Sequence, residues 1–196
     1  MTNSKLIGTA LFAIAAAGLS AAPTAAQMAA APAMAGKSVM VGGAAMLPTR
    51  DIIDNAVNSK DHTTLVAAVK AAGLVDTLKG AGPFTVFAPT NAAFAKLPAG
   101  TVDTLLQPAN KATLTAVLTY HVVAGKMNAK DIAAAIKSGG GKATLTTVQG
   151  APLTASMMGK TLVLTDAKGG TSRVTIGDVN QSNGVIHVVD TVLLPQ

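Results

Sequence analysis

Few side chains in this sequence could do chemistry. Ser182, His187 and Asp190 fall within one short stretch and suggest a nucleophile, base and acid. In an extended strand, however, residues three apart point to opposite faces, so His187 cannot be oriented by Asp190. No Gly-x-Ser-x-Gly elbow occurs elsewhere. The three histidines, His62, His121 and His187, lie far apart with no i, i+4 pair to suggest a zinc site. Cysteine and glutamate are both absent, which excludes disulfides, thiolate catalysis and thiolate-held metals. Met28, Met34, Met40 and Met46 are evenly spaced and could offer thioethers to copper(I), but no histidine or cysteine accompanies them. No glycine-rich phosphate loop occurs, and Gly139-Gly140-Gly141 reads as a helix stop. The sequence therefore predicts a protein that is not an enzyme and carries neither cofactor nor metal.

Two ionisable residues have two readings each. Alternation over Val185 to Leu194 puts Ile186, Val188, Asp190, Val192 and Leu194 on one side of a strand and His187 on the other, both sides apolar, as in a central strand. Asp190 is then either a catalytic acid or, the preferred reading, a structural carboxylate accepting backbone or hydroxyl hydrogens near a strand end. His121, beside the only tyrosine, Tyr120, is either a partner-contacting residue or a core histidine bonded to neighbours such as Thr90 or Asn91. Asn91 is expected to cap a helix at a strand-to-helix turn.

The elements that must position these residues divide the chain in two. Helices are predicted over 63–72, stopped by Gly73, and over 91–96, 101–106 and 110–119. Another starts at Asn128, with Asp131 favouring its positive end. Phe84 to Ala88, bounded by Gly82-Pro83 and Pro89, reads as a buried strand. After the triple glycine, strands are predicted over 143–148, 153–157, 161–165, 173–177 and 185–194, with turns at Lys168-Gly169-Gly170 and Asn183-Gly184. Helices first and strands later indicate an α+β fold with a largely antiparallel sheet, which the Phe84 strand joins from far away in sequence.

The N-terminus has a different character. Lys5, an apolar run from Leu6 to Leu19 and small residues through Ala26 make residues 1–26 a secretory signal peptide, too short in its apolar part to span a bilayer. Residues 27–48, rich in Ala, Met, Gly and Pro, read as a flexible leader, and 49–196 as the domain. The expected location is secreted or periplasmic, without a stable membrane anchor. The formal charge is +6, but the two arginines, Arg50 and Arg173, are isolated and aromatic residues make up only 3%. Clustered cations with stacking platforms are therefore lacking, and no nucleic-acid partner is expected.

Three segments in order resemble one family. Gly82-Pro-Phe-Thr-Val-Phe-Ala-Pro-Thr-Asn-Ala-Ala-Phe94 is similar to the first box of fasciclin-type (fasciclin I) domains, Tyr120-His121 to their central motif, and Asn183-Gly-Val-Ile-His-Val-Val-Asp-Thr-Val-Leu-Leu-Pro195 to their second box. The resemblance implies a wedge-shaped β-sandwich with several short helices packed around it. It also implies an exported adhesion module that binds protein, matrix or cell-surface ligands, with carriage of an apolar small molecule such as a carotenoid as the alternative. In animal members, integrin recognition is attributed to the Tyr-His motif and an Asp-Ile pair before the second box. Carried over, this implies a binding set of Tyr120, His121, Asp178 and Val179, while Thr90, Asn91, His187 and Asp190 are expected to be structural.

Overall fold

The computed structural model describes residues 38–195 apart from Ala81 and Ala99. The segment expected to be a signal peptide and the first part of the expected leader, with Met28 and Met34, lie outside the described residues. The chain opens with a hairpin, β1 (Val39–Val41) and β2 (Ala44–Met46). Helices α1 (Ile52–Ala56), α2 (Thr63–Ala72) and α3 (Val75–Lys79) precede β3 (Phe84–Pro89). Then come α4 (Asn91–Ala95), α5 (Thr101–Leu106) and α6 (Lys111–Tyr120), β4 (Val122–Ala124) and α7 (Ala129–Ser138). The second half is strands: β5 (Lys142–Thr146), β6 (Pro152–Met158), β7 (Thr161–Thr165), β8 (Thr171–Gln181) and β9 (Gly184–Val189).

Seven strands form one sheet in the order β4-β3-β9-β8-β7-β6-β5. The expected long-range joining of β3 is present: β3 and β9 run parallel with Val86 opposite Ile186, and every other neighbouring pair is antiparallel. Gly184 permits this, because a Cβ there would collide with the Phe84 carbonyl. The long β8 pairs β7 through Thr171–Arg173 and β9 beyond, with register shifts at Ile176; such irregularities bend a strand and let one sheet become two layers. The outer strands then meet, through a bridge between Val123 and Thr147 and a bond from Val148 N–H to Val122 C=O at 2.7 Å.

Two cores result. On one side of β3 and β9, Val86, Ala88, Ile186 and Val188 pack with the aliphatic residues of α1, α2 and α6. On the other, Phe87 and Val189 join Tyr120, the inward residues of β5–β7, and Ile132 and Ile136 of α7. The helix over 63–72 ends at Gly73 with φ +74° as predicted, and at the start of α7 the Asp131 carboxylate accepts the Asn128 N–H at 2.9 Å.

Two sequence expectations are corrected. The leader reading fails over residues 38–48, because Val41 and Met46 of the hairpin are buried in the helix-side core. Of the two described members of the evenly spaced methionines, Met46 is buried and Met40 is 61% exposed. The last strand ends at Val189 rather than Leu194, where Asp190 accepts the Arg173 N–H through Oδ1 and turns the chain.

Candidate functional site

The two boxes and the Tyr-His pair converge on β3, β9 and the end of α6. Tyr120, fully buried, donates its hydroxyl hydrogen to the Pro152 carbonyl at 2.9 Å and accepts the Ala167 N–H at 3.1 Å. It thereby ties α6 to β6 and to the β7–β8 turn. Burial raises the phenol pKa.

His121, directly after α6, is also buried. Its Nδ1 lies 2.8 Å from the Val117 carbonyl, and its Nε2 accepts the Leu193 N–H at 3.0 Å. One nitrogen must donate and the other accept, so the ring is the neutral Nδ1–H tautomer. Burial pushes its pKa down to about 4, against smaller opposing effects of the Val117 bond and Asp166. Its own carbonyl accepts the Phe87 N–H at 2.8 Å. The residue thus links α6, β3 and the C-terminal segment, and its partners are not Thr90 or Asn91.

His187 in β9 stacks on Phe87 with centroids 5.6 Å apart. Its Nε2 donates to the Met127 carbonyl at 2.9 Å, and Nδ1 accepts the Asp178 N–H at 3.4 Å. Burial again lowers the pKa. Asp178 has φ +58°, a left-handed conformation that Asp tolerates better than most residues, and its carboxylate accepts the Ala129 N–H at 2.6 Å. The pair fixes the loop leading into α7.

The residues carried over as a binding set do not form a surface patch. Tyr120, His121 and Val179 are buried, and Val179 belongs to the helix-side core. Asp178 alone is partly exposed, with its carboxylate engaged. Val179 is drawn inward because β8 resumes pairing there, opposite Ile186.

Among the residues expected to be structural, Thr90 and not Asn91 is the cap: its hydroxyl accepts the Ala93 N–H. Asn91 instead reaches the start of α2, accepting the Thr64 N–H at 3.0 Å and donating to the Lys60 carbonyl at 2.8 Å. Asp190 is not enclosed by aliphatics; its side chain is 34% exposed and faces Lys96 at 3.5 Å. Burial would raise its pKa, but the bonds from Arg173 N–H and the Thr191 hydroxyl, with Lys96, outweigh it and lower it. Ser182 precedes β9 and Asp190 follows it, so Ser182, His187 and Asp190 do not converge.

Sequence reasoning missed two further pins. Asp166 accepts the Lys168, Gly170 and Leu194 N–H groups. Asn183 accepts the Ile52 N–H and donates to the Leu78 carbonyl. An Asp two residues before a glycine-rich turn and an Asn-Gly pair were local signals for both, but the distant partners leave no sequence mark.

A fasciclin domain model matches residues 60–195. The chain belongs to the fasciclin domain family. Protein sll1483 of Synechocystis sp. is 47% identical over 163 residues, covering 81% of each chain. The cell surface glycolipoprotein MPB83 of Mycobacterium bovis is 36% identical over 159 residues, covering 79% of this chain and 64% of that one. A domain pair from the insect cell adhesion molecule fasciclin I superposes with a TM-score of 0.67 at 19% identity, covering 76% of this fasciclin chain and 52% of the insect one; this likeness shows the fold. In this fasciclin domain, the Tyr-His pair and the histidine of the second box face inward.

Proposed function

We propose that this fasciclin domain is an exported, non-catalytic surface-interaction module that adheres to matrix, cell-surface or envelope partners. One observation carries the reading: Tyr120, His121 and His187 have their polar atoms engaged inside the fold, and His62 is buried with its Nδ1 on the Ser59 hydroxyl. A general acid or base must reach a substrate proton, and these do not reach solvent. Recognition then falls to the exposed loops and strand faces, a role supported by relatives named as a cell surface glycolipoprotein and by the shared fold. No helix among the described residues is long and apolar enough to cross a membrane.

Carriage of a pigment-sized apolar molecule has less support. The cavity among Val41, Met46, Leu65, Val69 and Ile186 is apolar but only about 30 Å³, room for about one water. The test of the main reading is sedimentation of the purified mature protein with envelope fragments and intact cells of its source. Saturable co-sedimentation is expected, and its absence from both would remove the reading.

A further inference from the structure

We propose that the outward face of β5–β8 is a docking surface for an anionic polysaccharide; this rests on the surface-interaction reading and names its class of partner. Paired residues on neighbouring strands share a face, so the register defines what this face presents. Thr144, Thr154, Thr165 and Thr171 stand opposite one another across all four strands. The adjacent row is Lys142, Ser156, Val163 and Arg173. All but Val163 are exposed or half-exposed, and Val163, though buried, belongs to neither core.

The hydroxyls of this face differ from those that pin the strands and loops around it. Thr85, Thr147, Ser172 and Thr175 each donate to a backbone carbonyl. Those of Thr144, Thr154, Ser156, Thr165 and Thr171 make no hydrogen bond within the described residues, leaving their donors and acceptors to solvent. Strand spacing sets them about 4.8 Å apart across the sheet, a pitch close to one sugar ring. A ligand rich in hydroxyls can exchange bonds with such a grid.

Charge selects the anionic class. Neither row contains an acid, and Lys142 and Arg173 occupy its two ends, about 14 Å apart at three strand spacings. The carboxylates that flank the rows are already engaged: Asp190 by the Arg173 N–H, the Thr191 hydroxyl and Lys96, and Asp166 by the Lys168, Gly170 and Leu194 N–H groups. An arginine fork and a lysine ammonium suit carboxylate or sulfate groups. Neither row contains an aromatic side chain, so stacking on a neutral sugar or a base is not served and charge must supply the affinity.

The test uses the mature domain with polygalacturonate and, as a neutral probe, dextran, in affinity electrophoresis at low ionic strength. Polygalacturonate retards the domain and dextran does not. Lys142→Gln with Arg173→Gln weakens binding at least about tenfold, as expected for two lost charge-assisted contacts. Lys70→Gln with Lys111→Gln removes the same charge from the helical side and leaves binding within about twofold. Thr144→Val with Thr165→Val, which keeps both cations, weakens it about threefold. No retardation, equal loss in the two charge-removing pairs, or equal retardation by dextran overturns the proposal, as does a dimer dispersed by the Lys142/Arg173 pair. Co-sedimentation with envelope fragments that survives Lys142→Gln/Arg173→Gln removes this inference and leaves the interaction module standing. No co-sedimentation at all removes the interaction module itself.

Discussion

The buried seam around Tyr120, His121 and His187 and the open face of β5–β8 use polar groups in opposite ways. In the seam, each ring nitrogen and hydroxyl is spent on a backbone partner, several of them far along the chain, the Leu193 N–H lying 72 positions from His121. On the open face, ordinary threonines with two cations leave their polar atoms to water. The residue types that suggest chemistry thus build the domain, and undistinguished ones hold the surface where a partner can reach. Stability and recognition should therefore separate by region.

The sharpest break comes from His121→Ala. It leaves the Val117 carbonyl and the Leu193 N–H unpaired in a dry interior and opens a cavity, for a loss of about 3–5 kcal/mol in urea unfolding. A loss under about 1 kcal/mol would place the ring outside the seam's framework.

Acid should act through the buried imidazoles, the seam's above all, with an effect nearly as large. His121 titrates near 4 folded and near 6.5 unfolded, so the unfolded chain binds the proton first. The stability contribution is complete above about pH 6.5 and is lost as pH falls toward 4, on the order of 3 kcal/mol. His62 and His187, both depressed by burial, act in the same direction. Urea midpoints that do not decline between pH 7 and pH 4 would contradict the buried neutral rings.

Asp190→Ala lies at the border between the regions. It removes the acceptor for the Arg173 N–H and the Thr191 hydroxyl, while its pair with Lys96 is half-exposed and screened. About 1 kcal/mol is expected; a loss above about 3 kcal/mol would mean a far more enclosed carboxylate. Least affected is Thr144→Val with Thr165→Val. Valine suits a strand as well as threonine does, so stability should stay within about 0.5 kcal/mol, and a larger fall would show that those hydroxyls are structural after all.

Much of the frame was legible because it is local. Gly73 stops α2 where the pattern ends, and the two-sided apolar run of β9 announces a central strand, which β3 and β8 flank. Other features depend on distant encounters. The partners of His121 are set by where the C-terminal segment passes, and Thr90 captures the cap because Asn91 is drawn to α2. Val41 and Met46 lay hidden in a stretch of small residues whose composition masks a hairpin. The open face was invisible for the same reason: four threonines on four strands align only when the register is known.

The central claim, that the Tyr-His pair is architecture, is tested most directly by imidazole nitrogen NMR of His121 across pH. The account predicts a neutral ring protonated at Nδ1, with Nε2 accepting a hydrogen bond, that stays neutral until about pH 4. A ring that exchanges tautomers freely and titrates near 6.5, as a solvated imidazole does, would contradict it.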